Sequence, residues 1–162
     1  MIPLRINSRR MKEINTRNVL NVIRREGSVS RKDLAKLTGL TTGTITNIIS
    51  ELIEKNYSIE SGLGESESGR KPILLELNAE AGYAIGLSLE VSKIICVISD
   101  FKANILYSKH EEINVSDGKN AIIDQMIALI ENVISHVGVN KNKILGVGLA
   151  VPGPCNYKEG IM

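Results

Sequence analysis

Residues 30–52 run SRKDLAKLTGLTTGTITNIISEL, a pattern of two short helices joined at a glycine. Ser30 is placed to cap the first helix, and Asp33, three residues on, completes a capping-box-like pair. Leu34, Ala35 and Leu37 are its expected buried residues, and Gly39 permits the tight turn that ends it. Thr41 then caps a second helix, whose apolar residues Ile45, Ile48, Ile49, Leu52 and Ile53 recur at the spacing of one helical stripe. The opposite face carries Thr42, Gly43, Thr46, Asn47 and Ser50, all small or uncharged and mostly able to hydrogen-bond. A helix that enters a DNA major groove needs such a face, slim enough to fit and polar enough to read base edges. The competing reading is an ordinary helical hairpin, in which Ala35, Gly39 and Ile45 serve packing alone.

Charge is the first piece of context. The chain of 162 residues carries a formal net charge of only +2. Residues 1–50 nevertheless hold ten Lys or Arg against three acids, while residues 73–162 hold seven Lys against ten acids. A basic head on an acidic body suggests that one end meets a polyanion. Charge alone would favour the plainer reading, a solvated basic helix face.

The composition is 43% hydrophobic but only 3% aromatic, so the core must be aliphatic. No apolar run reaches the roughly 18–20 residues of a membrane span, and the basic N-terminus lacks the apolar stretch of a signal peptide. A cytoplasmic protein with no membrane partner is the expectation. Cys96 and Cys155 lack metal-ligand spacing and read as reduced thiols; His110 and His136 read as surface or packing residues. No metal, cofactor or catalytic residue is therefore assigned.

Around the two helices, residues 8–26 form a helix with Ile14, Val19, Leu20, Val22 and Ile23 toward its buried side, stopped by Gly27. The second helix of the pair extends to about Asn56. Residues 57–60 and 73–77 read as two strands around a Gly/Ser/Glu-rich tip at 61–69, the wing of a winged helix. At its end stands Ser68-Gly69-Arg70-Lys71-Pro72, where Pro72 keeps Lys71 extended and Gly69 allows close backbone approach. Such a cationic segment suits a narrow minor groove. A plain turn with two exposed cations is the alternative.

After residue 82 the pattern changes. Segments 83–90, 93–100 and 105–115 read as an antiparallel meander. A helix starting at Ser116 or Asp117 follows, with Ile122, Ile123, Met126, Ile127, Ile130, Val133 and Ile134 on a broad apolar side. Residues 144–151, ILGVGLAV, then read as a buried strand. Three strands, a helix and a strand are how an actin-like, ribonuclease H-like fold begins. The expected division is a winged helix-turn-helix at 1–80 and a partial α/β domain at 81–162, α+β overall.

The order of helix-turn-helix, SGRKPILLELN, AGYAIGLSLE and ILGVGLAVPGP resembles the ROK family of repressors and sugar kinases, in its xylose-repressor-like branch. The resemblance implies a sequence-specific repressor of sugar-utilisation genes, with double-stranded operator DNA as partner and a homodimer allowed. It also implies that the chain stops short of the family's larger C-terminal portion, which holds sugar-binding residues, a Cys-rich zinc site and most of the oligomer interface. A sugar effector is thus expected only for a full-length relative. One departure bears on catalysis. Where the family's kinases carry an Asp-x-Gly-Gly-Thr phosphate loop, this chain has Ser88-Leu89-Glu90-Val91-Ser92, so ATP binding and phosphoryl transfer are not expected. A non-catalytic sensor or interaction module, and more remotely a ROK sugar kinase, are the alternatives.

On the DNA-binding reading, Thr42, Thr44, Thr46, Asn47 and Ser50 are readers or phosphate anchors, with Thr41 and Gly43 at the helix start. Asn47 has the amide that pairs bidentately with adenine. Ser30, Arg31, Lys32 and Arg17 are expected on phosphates, and Arg70 and Lys71 in the flanking minor groove.

Overall fold

The computed structural model describes residues 7–65, 71–153, 156 and 159. Two compact units divide between Asn78 and Ala79.

The first unit begins with α1 (Ser8–Glu26), capped where Asn7 Oδ1 accepts from the Arg10 N–H at 2.8 Å and closed at Gly27, φ 75°. Its buried residues are Val19, Val22 and Ile23, all in its C-terminal half. Ile14, expected inside, is 41% exposed. A two-residue strand, β1 (Val29–Ser30), follows; it is too short to leave a periodicity in the sequence.

Then come α2 (Arg31–Thr38) and α3 (Thr42–Glu54). Ser30 Oγ accepts from the Asp33 N–H at 3.1 Å and donates to Asp33 Oδ2 at 2.6 Å. Gly39 sits at φ 71°, its N–H on the Ala35 carbonyl at 3.0 Å, which is the left-handed stop the sequence called for. Thr41 Oγ1 accepts from the Thr44 N–H at 3.2 Å. Leu34, Ile45, Ile48, Ile49 and Leu52 are buried and form the aliphatic seam; each such side chain contributes roughly 1.5–3 kcal/mol. Leu37 is half exposed, since two turns of helix bring only Leu34 fully inside. Ile53 lies at the rim, and α3 stops at Glu54 rather than Asn56 because Asn56 adopts a left-handed φ of 60°.

The hairpin is β2 (Ser58–Leu63) against β3 (Ile73–Leu77), antiparallel, with a bulge between Glu60 and Gly62. β2 reaches three residues further than the sequence suggests. β1 joins the other edge of β3, pairing Val29 with Leu75 and Ser30 with Leu74. Leu75 and Leu77 point into the unit's core, and the buried Ser58 hydroxyl donates to the Glu76 carbonyl at 2.8 Å.

The second unit is a mixed sheet in the order β6-β5-β4-β7, built from β4 (Tyr83–Leu89), β5 (Lys93–Ser99), β6 (Ile105–Glu112) and β7 (Ile144–Ala150). β4, β5 and β6 run antiparallel in sequence, and β7 returns parallel to β4 after α4 (Gly118–Val137), as the connection requires. Ile85, Leu87, Ile94, Cys96 and Ile98 from the sheet meet Leu129, Val133 and Ile134 of α4.

Two expectations need correction here. Ile123 and Ile127 are exposed, while Leu129 is fully buried; the packed stripe of α4 is narrower and rotated toward Leu129. β7 is not buried either: Leu145, Val147 and Leu149 are each more than half exposed. It is paired only with β4, and α4 packs on β5 and β6, so no described element covers its apolar rows. Among the described residues no helix is long and apolar enough to cross a membrane.

Candidate nucleic-acid interface

The interface is built on α3. Its stripe of buried Ile45, Ile48, Ile49 and Leu52 fixes the helix rotation, so the remaining residues must face out. Thr42, Gly43, Thr46, Asn47 and Ser50 are all exposed, as is the capping Thr41. Thr44 is half-buried, its hydroxyl 2.9 Å from that of Thr41. The Thr46 hydroxyl donates to the Thr42 carbonyl at 2.8 Å, which leaves its oxygen lone pairs facing outward. Among the described residues the Asn47 amide and the Ser50 hydroxyl have no protein partner, so their hydrogen-bonding capacity is available to a ligand.

Gly43 lies in the first turn of α3, on the same exposed face. A glycine inside a helix costs about 0.5–1 kcal/mol against alanine. Here a Cβ would meet nothing within 4 Å, so no packing inside the molecule explains its absence.

The cations are placed less simply. Arg31 is half-buried in the first turn of α2, and its Nη2 donates to Glu60 Oε1 at 3.0 Å. Lys32 and Lys71 are exposed, and with Ser30, Arg31, Pro72 and Ile73 they line a cleft of about 280 Å³. The structure thus brings the start of the first helix of the pair and the root of the hairpin together. Ser30, expected on a phosphate, is buried with its hydroxyl committed to Asp33. Arg17 is exposed on α1. Arg70, with Ser68 and Gly69, lies outside the described residues.

The sequence did not point to a second cleft, of about 390 Å³, between α1 and α3. Ser8, Lys12 and Asn15 line one wall and Thr44, Asn47 and Glu51 the other. Lys12 Nζ reaches Glu51 Oε1 at 2.5 Å. The hydrogen bond from Lys12, and after it the charges of Lys12 and Lys55, hold the Glu51 carboxyl below the ordinary carboxylate value against the opposing effect of burial.

Residues 12–57 match the family model described as winged helix-turn-helix DNA-binding. The xylose repressor of Caldicellulosiruptor bescii is 31% identical over 150 residues, covering 93% of this chain and 38% of that protein. The crystal structure of a ROK family transcriptional regulator, a homolog of the Escherichia coli Mlc protein, superposes with a TM-score of 0.66 over 93% of this chain, at 23% identity. The chain matches the N-terminal portion of ROK-family transcriptional regulators.

Other ROK-type relatives agree. The xylose repressor of Bacillus subtilis is 27% identical over 94% of this chain, and the DNA-binding transcriptional repressor Mlc of E. coli 24% identical over 94%. The chain spans 37–39% of the length of these relatives. The ROK-type match therefore accounts for both units: a winged helix-turn-helix followed by a mixed sheet with its helix.

Proposed function

We propose that this chain binds double-stranded DNA as the reading portion of a transcriptional repressor of sugar-utilisation genes, xylose being the sugar that several relatives' names suggest. The observation that carries the proposal is the outward face of α3, where the unpartnered Asn47 amide and Ser50 hydroxyl stand exposed, with Gly43 in the first turn, over buried isoleucines. That face enters the major groove, with Asn47 reading adenine and Thr42, Thr44, Thr46 and Ser50 reading bases or anchoring phosphates. Arg31, Lys32 and Arg17 meet the phosphate backbone. Lys71, and Arg70 beyond it, reach the flanking minor groove from the hairpin.

We further infer that the chain is not a catalyst. The strand end and turn at residues 88–92 supply no glycine-rich cradle; Val91 stands 78% exposed at the tip, and the Glu90 N–H closes the hairpin on the Lys93 carbonyl at 2.9 Å. That amide, bonded across the hairpin, is not available to a nucleotide's phosphates. A repressor acting on chromosomal DNA works in the cytoplasm, and pairing of two copies on a two-fold operator would raise affinity through effective concentration.

The test is a gel-shift and footprint on DNA upstream of the protein's own gene and of neighbouring sugar operons, at two salt concentrations. A protected stretch whose affinity falls steeply with salt is expected. No protection at low salt would remove the proposal.

A further inference from the structure

Glu51 presents a difficulty for a helix that approaches a polyanion. It stands one turn beyond Asn47 on α3 and lines the same cleft as Asn47 and Thr44. A bare carboxylate there is repelled by every phosphate within a Debye length, about 8 Å at physiological salt. Lys12 lies 39 residues earlier in the chain, on α1, and its ammonium donates to Glu51 Oε1 at 2.5 Å. Both side chains remain substantially exposed, 57% for Lys12 and 38% for Glu51, so the pair is not a buried clamp that the core requires. Exposed pairs of this kind do little for folding stability. Their charge still matters to a charged ligand at the same surface.

We propose that Lys12 is a positioning residue for duplex binding, cancelling the Glu51 charge on α3 so that the Asn47 edge approaches the bases without an uncompensated carboxylate beside the phosphates. This rests on the DNA-binding reading above and extends the interface to α1. Lys55, the C-cap residue four positions past Glu51, adds a second cation but cannot replace the hydrogen bond that fixes the carboxylate.

The mechanism makes the two partners unequal. Losing Lys12 leaves a negative charge facing DNA, whereas losing the Glu51 charge leaves none. The experiment is fluorescence anisotropy with the full 162-residue chain, on a short fluorescein-labelled duplex of random sequence and on one from upstream of its gene. Lys12→Met is expected to weaken binding to both duplexes roughly tenfold. Glu51→Gln, which breaks the same ion pair, should leave affinity unchanged or slightly tighter. The double variant should return to the Glu51→Gln level, and Lys12→Arg should bind as the parent does. Thermal melts confirm that each variant is folded; if Lys12→Met melts early, Lys12→Gln replaces it.

Equal losses in both single variants would mean a mechanical tie between α1 and α3 and would overturn the proposal. A loss that persists in the double variant would mean that Lys12 contacts phosphate directly, and also overturns it. If the parent chain binds no duplex, the DNA-binding reading falls and this inference with it. If the parent binds but the asymmetry is missing, only the inference falls.

Discussion

Arg31 Nη2 donates to Glu60 Oε1 at 3.0 Å, tying the first turn of α2 to β2 across 29 residues of sequence. One fork of the guanidinium is thereby held, and its other N–H groups remain to grip a phosphate. Arg31→Ala is expected to weaken binding to every duplex alike and to make the slope of log K against log salt shallower by about one. Glu60→Gln removes a like charge from the neighbourhood of the phosphates and should tighten binding by up to about fivefold, the scale of an exposed pair. A loss confined to one preferred sequence would contradict a phosphate role for Arg31.

Asn47→Ala should behave differently. Its amide has no partner within the described protein, so removing it leaves the fold intact. The discrimination between a preferred and a random duplex is expected to fall by about 1–3 kcal/mol, with random-sequence affinity unchanged. Competition binding with the two duplexes measures this directly. Equal losses on both would take Asn47 off the list of base readers.

The turn between β5 and β6 stores strain. Ala103 sits at φ 67°, held there by its N–H on the Asp100 carbonyl at 3.0 Å, while the Asp100 carboxylate accepts from the Asn104 N–H at 2.8 Å and its side-chain amide at 2.9 Å. A side chain in this region costs roughly 1–2 kcal/mol, partly offset in glycine by its freer unfolded chain. Ala103→Gly should therefore stabilise by about 0.5–1 kcal/mol, raising the melting temperature by a few degrees. A lower melting temperature would show that the turn relies on the Ala103 methyl.

Cys96 is fully buried in β5, and burial pushes its thiol above the ordinary thiol value. As pH climbs, the unfolded chain loses this proton before the native one does. The thiol's contribution to stability is thus complete below about pH 9 and lost as pH rises toward the native value. In a Cys155→Ser background, labelling by a disulfide reagent at pH 8 is expected to be limited by opening of the sheet. Labelling at the rate of a denatured control would refute the buried, protonated thiol.

The helix pair was legible because its rules are local. Ser30 with Asp33, Gly39, and Thr41 each act within four residues, and each is found doing what those residue types do at helix ends. Periodicity found the centres of the buried stripes but not their extents. Ile14, Leu37, Ile53, Ile123 and Ile127 all carry the right spacing and lie where neighbours cover them only in part. The apolar run of β7 reads as a buried strand, yet composition cannot say whether a covering element is at hand. What escaped altogether was non-local: β1, two residues zipped onto a strand more than forty residues away, and Lys12, whose partner sits on another helix. The charge pattern drew attention to the cations without showing which acids they face.

β1 has one more implication. Ser30 closes the ladder to Leu74 and is also the N-cap of α2, while Lys71 stands three residues before Leu74 on the same run of chain. The span from hairpin root to helix start is therefore set by main-chain rungs, like a ruler cut into the scaffold. Solvent-facing side chains along that gauge can change without altering the distance between the two grips on a target.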